Sequence, residues 1–68
     1  MEPVLKELEL LVEYLVKHNQ EHAAEITDLA ARAQELGKTV AYEHLTRGVE
    51  LMNESTKSLQ SALAALEG

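Results

Sequence analysis

The sequence predicts an all-α protein folded as an antiparallel helical hairpin, and three observations carry that expectation. Apolar and small residues recur at alternating steps of three and four along two long stretches, Gly37 stands between the stretches, and the two patterns match in register across it. The expected layout is a helix over about 3–36, a turn at 37–38 and a helix over about 40–67, forming a single domain over 1–68.

The first helix is read from the seam Leu5, Leu8, Val12, Leu15, Asn19, His22, Ile26, Leu29, Ala33, Leu36, an unbroken heptad pattern of the coiled-coil kind. Pro3 suits the first turn, Glu2 and Glu7 suit the positive end of the helix dipole, and Gly37 suits the left-handed residue that closes a helix. A competing reading breaks this helix near His18, with Asn19 capping a new one, but a real turn would reset the heptad phase and none is seen.

The second helix follows from the seam Tyr42, Leu45, Val49, Met52, Thr56, Leu59, Leu63, Leu66, with Thr39 as its N-cap and Glu43 in its first turn. A connection as short as Gly37-Lys38 forces the helices antiparallel. Residues whose numbers sum to about 74 or 75 should then face each other: Leu29 with Leu45, Ile26 with Val49, His22 with Met52, Asn19 with Thr56, Leu15 with Leu59, Val12 with Leu63, Leu8 with Leu66.

Composition narrows the function. Twelve acidic residues against six basic ones leave a net charge of −6, and Phe and Trp are absent, so phosphate backbones would repel the chain and base stacking has few aromatics to use. Nucleic acid and membrane are therefore not expected as partners. No stretch approaches a membrane span, and no basic segment followed by an apolar run opens the sequence, so a cytoplasmic location is expected. With no Cys there are no disulfides, thiolate ligands or Cys nucleophiles.

A short chain with a thin core needs reinforcement, and the seams leave apolar residues over: Val4, Leu10, Leu11, Tyr14 and Val16 on the first helix, Leu51, Ala62 and Ala65 on the second. Ala41, Gly48, Ser55 and Ala62 also recur every seven residues, a strip along which another helix can approach closely. Leu10, Leu11, Tyr14, Gly48, Leu51 and Ala62 are thus the expected oligomer contacts. Two hairpins pairing about a two-fold axis would give a homodimeric four-helix bundle, and a partner helix from another protein would satisfy the same requirement.

A polar layer of Asn19, His22, Ser55 and Thr56 interrupts the aliphatic seam at mid-helix, where it would specify register and assembly. The other reading is a metal site. His18 and His22 are spaced i, i+4 on one helix face, a separation a single Zn, Ni, Co or Cu ion can bridge, with Glu21 and Glu25 as substitute or supporting groups. Residue 20 is near the middle of the first helix, so an antiparallel two-fold mate would bring its own histidines to the same level. His44 lies too far along the hairpin to join them.

The string His18-Asn19-Gln20-Glu21-His22 also fits H-x-x-E-H, the signature of inverted zincins, but such enzymes need a third ligand on a distant element and a substrate cleft. Without either, no enzyme activity is expected. The run Leu15-Val16-Lys17-His18-Asn19-Gln20-Glu21-His22, followed by an Ala-rich helix, a Gly turn and a Leu/Ala/Glu helix, resembles small uncharacterised prokaryotic helical domains built around an H-N-x-E-H core. Members of that group tend to carry Trp near the position of Tyr14. The resemblance implies that His18, Asn19, Glu21 and His22 act as a unit and names no reaction.

Overall fold

The computed structural model describes residues 3–68, so Glu2 lies outside the described residues. They form two helices, α1 (Pro3–Glu35) and α2 (Thr39–Glu67), folded into an antiparallel hairpin 54 Å long. No strand occurs among the described residues. The helix α1 runs unbroken through His18 and Asn19, because nothing there withdraws a backbone donor or demands a positive φ.

The turn is a Schellman motif. Gly37 takes the left-handed conformation at φ 72°, its N–H donates to the Gln34 carbonyl at 3.0 Å, and the Lys38 N–H donates to the Ala33 carbonyl at 2.9 Å. Lys38 then accepts the Tyr42 N–H at 2.9 Å, so one residue both completes the cap of α1 and opens α2. This corrects the expected cap: Thr39 is already helical, and the N-cap is Lys38, which makes no side-chain capping bond. Neither first turn holds an acidic residue, since Glu7 and Glu43 fall one position beyond it.

On α2 the expected seam is the observed one: Thr56 is buried, and Tyr42, Leu45, Val49, Met52, Leu59, Leu63 and Leu66 are half-buried. On α1 the seam is turned. Leu5, Val12, Asn19, Ile26 and Ala33 face α2 as expected, but the alternate positions are filled by Val16, Ala23 and Ala30, which are buried. Leu8, Leu15, His22, Leu29 and Leu36 are exposed instead. Val16, read as surplus, is core at 8% exposure, whereas its neighbour Leu15 is 43% exposed.

The reason is size. Ala23 and Ala30 let α2 come close with the larger, half-buried Tyr42, Leu45, Val49 and Met52 along its own seam, whereas a row of leucines would hold the axes apart. The facing pairs that involve Leu8, Leu15, His22 and Leu29 therefore do not form as expected. Among the described residues only Val16, Ala23 and Ala30 are buried hydrophobics, and no large side chain is fully buried. Two alanines and a valine contribute little transfer free energy, so the core of one copy is thin.

Candidate functional site: one broad face of the hairpin

The turned seam frees a second stripe on α1. Val4, Leu8, Leu11, Leu15, His18, His22, Glu25, Leu29, Arg32 and, at the turn, Leu36 continue the three-four spacing and form a row displaced about 100° around the helix from the row facing α2. On α2 a matching row of mostly small residues, Ala41, His44, Gly48, Leu51, Ser55, Ser58, Ala62 and Ala65, is displaced by the same angle in the same sense. Because the helices are antiparallel, equal displacements put both rows on the same side of the hairpin. We call this side the front.

The back is built from the rows displaced the other way: Lys6, Leu10, Glu13, Lys17, Gln20, Ala24, Thr27, Ala31 and Gln34 on α1, and Glu43, Thr46, Glu50, Asn53, Lys57, Gln60, Ala64 and Glu67 on α2. Apart from Leu10 it holds no large apolar side chain. Seven of its residues are charged, against Glu25 and Arg32 on the front. An open groove near the turn, lined by Thr27, Ala31, Gln34, Tyr42, Thr46 and Val49 among others, lies on this back side and brings no histidine or carboxylate together.

Of the expected oligomer contacts, Leu11, Gly48, Leu51 and Ala62 lie on the front, Tyr14 on its edge, and Leu10 on the back. A Cβ added at Gly48 would meet nothing within 4 Å, so the room at this glycine is not used by α1. The expected polar layer divides. Asn19 is half-buried and Thr56 is buried between the helices, while His22 and Ser55 are exposed. The Thr56 hydroxyl donates to the carbonyl of Met52 one turn back, at 3.0 Å, so it needs no partner from α1. No buried side-chain nitrogen or oxygen lacks a hydrogen bond among the described residues.

His18 and His22 come together on the front, with ring centroids 4.2 Å apart and planes inclined by 52°. Tyr14, one turn before, stacks on His18 at 5.5 Å and 16° and restrains its ring. Glu21 and Glu25 do not close around the pair: among the described residues no group of three or more His, Cys, Asp and Glu side chains could hold an ion. His44 is on the front of α2, exposed. The string His18-Asn19-Gln20-Glu21-His22 thus splits by direction, the histidines to the front, Asn19 to the seam, Gln20 to the back and Glu21 outward.

No signal in the seam pattern alone separates Leu15 from Val16; the exposure of the leucine row and the burial of the alanines emerge only when α2 is packed on α1. No described helix is long and apolar enough to cross a membrane. No curated protein and no solved structure matches the chain. A family model does match, over residues 8–66, which takes in both helices, the turn and the histidine pair, and the chain belongs to that family, described as Domain of unknown function (DUF8180).

Proposed function

We propose that the protein is an assembly module whose front packs on the front of a second copy to make a four-helix bundle. The observation that carries this reading is the second apolar stripe on α1, a quarter turn from the first and level with the small-residue row of α2. A helix in a four-helix bundle touches two neighbours at roughly this angle, and a helix in a two-helix hairpin has no use for the second face.

Size and charge favour a second copy as the occupant. The hairpin spans 54 by 14 Å between Cα extremes, about 750 Å², close to the roughly 800 Å² that each partner of a stable complex buries. A chain of net charge −6 should resist self-association, yet the front carries one acidic and one basic residue and is neutral with its histidines uncharged. Two fronts can therefore meet without like-charge repulsion, while a strongly basic partner would find little to pair with there.

Sedimentation equilibrium in chelator tests the proposal. The expected species is a dimer, converted to a helical monomer by Leu11→Glu with Leu15→Glu. A wild-type chain that stays monomeric at concentrations on the order of 100 μM would overturn it, since so weak an association could not serve as an assembly contact. A second reading, transition-metal binding, is favoured by the side-by-side rings of His18 and His22; among the described residues one copy brings no third ligand to them.

A further inference from the structure

We infer that the His18 and His22 pair is half of a transition-metal site completed by the same pair of a second copy, and that metal selects the dimer in which the two turns lie at opposite ends. The inference rests on the front-to-front reading proposed above and adds the ligand and the arrangement to it.

Two symmetric dimers can be built from one front. In the first, the two-fold axis runs along the bundle, each α1 lies over the α2 of the other copy, and both turns sit at the same end. In the second, the axis crosses the bundle at mid-length, α1 lies antiparallel over α1 and α2 over α2, and the turns sit at opposite ends. The first arrangement leaves the histidine pairs on diagonal helices. The second brings them together at the axis.

The numbering of the front fits the second arrangement. If α1 crosses its copy at residue 20, positions summing to 40 face each other: His18 with His22, Leu11 with Leu29 and Val4 with Leu36. At the corresponding level of α2, Gly48 faces Ala62 and Ser55 faces itself, small against small, and the open space at Gly48 admits the approach. Four imidazoles then surround one point, each pair already adjacent on its own helix at 4.2 Å between ring centroids. Four neutral nitrogen donors in a compact set suit a tetrahedral divalent ion such as zinc.

The chain has no Cys, so a spin label at Lys38→Cys reports the turn-to-turn distance from one clean site. With zinc, that distance should be about 50 Å, the length of the helices; turns at one end would be within about 25 Å of each other. Zinc should be retained at one ion per two chains and should tighten dimerisation at least about tenfold by mass action. His18→Gln with His22→Gln, at a half-buried and an exposed position and expected to leave the helix intact by circular dichroism, should remove both effects.

A dimer that forms in chelator but retains no zinc would overturn this inference and leave the assembly proposal standing. A chain that is monomeric in chelator and dimeric with zinc would overturn assembly without metal and leave the shared site standing, the fronts then meeting only through the ion. One zinc per chain, or a short turn-to-turn distance in zinc, would overturn the shared site.

Discussion

The front and back of this hairpin flank the same inter-helix seam, share the same helical backbone, and are both mostly exposed in one copy. Their residues differ in kind. The front puts leucines on α1 beside alanines, serines and a glycine on α2, and the back puts lysines, glutamates and amides on both helices. An isolated hairpin would gain solubility by making both sides alike, and the proposed assembly through the front gives the asymmetry a reason. What separates the front from the seam in sequence is a single step in the heptad: moving from Leu15 to Val16, or from Leu29 to Ala30, carries a side chain from one to the other.

The largest expected effect comes from charging the front. Leu11 and Leu15 are 55% and 43% exposed, so about half of each side chain is still available for burial. At about 1.5–3 kcal/mol for a fully buried leucine, the four leucines of a dimer would contribute roughly 4 kcal/mol, near a thousandfold in dissociation constant. Leu11→Glu with Leu15→Glu should lose that and add like-charge repulsion, read by sedimentation. The matching pair on the back, Gln20→Glu with Ala24→Glu, should leave the association unchanged.

The turn provides a reference for the stability of the hairpin itself. Gly37 sits at φ 72°, and Gly37→Ala should destabilise the hairpin by about 1–2 kcal/mol, the penalty of a left-handed conformation for a residue with a Cβ. Thermal unfolding followed by circular dichroism measures it. The loss should be the same in the wild type and in the front-charged variant, and a loss confined to the dimer would mean that the turn itself is part of the contact.

Much of this could be read before any packing was known. The two helices, the turn and the complete α2 seam follow from heptad spacing and one glycine, because a/d positions filled by Tyr, Leu, Val and Met have one apolar solution on α2. On α1 two solutions compete. Its large residues follow one phase and its alanines another, and both share Leu5, Val12, Asn19, Ile26 and Ala33. Periodicity favours the phase with more hydrophobic mass, while packing favours the one that lets the helices approach. That is why His22 was expected between the helices and is found on the front. The histidine pair was legible from its i, i+4 spacing; the face it occupies was not.

Gly48 separates the helices' own stability from that of their assembly. In one copy a Cβ there meets nothing within 4 Å, so Gly48→Ala in the front-charged monomer should gain about 0.8–1 kcal/mol of helix propensity in a thermal melt. In the proposed dimer the same methyl would enter the contact with the second copy's α2, and the gain should be cut or reversed. An equal gain in both backgrounds would show that α2 is not closely approached at this point.

The smallest expected effect is the sharpest test of which residues make the front. Leu10 and Leu11 are adjacent and 53% and 55% exposed, and both fall off the heptad seam, which put both among the expected oligomer contacts. One step around α1 carries Leu10 to the back, beside Glu13 and Lys17. Leu10→Glu should therefore change dimer affinity and melting temperature by no more than about 0.5 kcal/mol, the range for a surface substitution away from any contact. Leu11→Glu alone should weaken the dimer many-fold. Should the two substitutions weaken association alike, the contact would wrap around α1 rather than lie on one side of it, and a neutral front would no longer explain how a chain of net charge −6 could pair with itself.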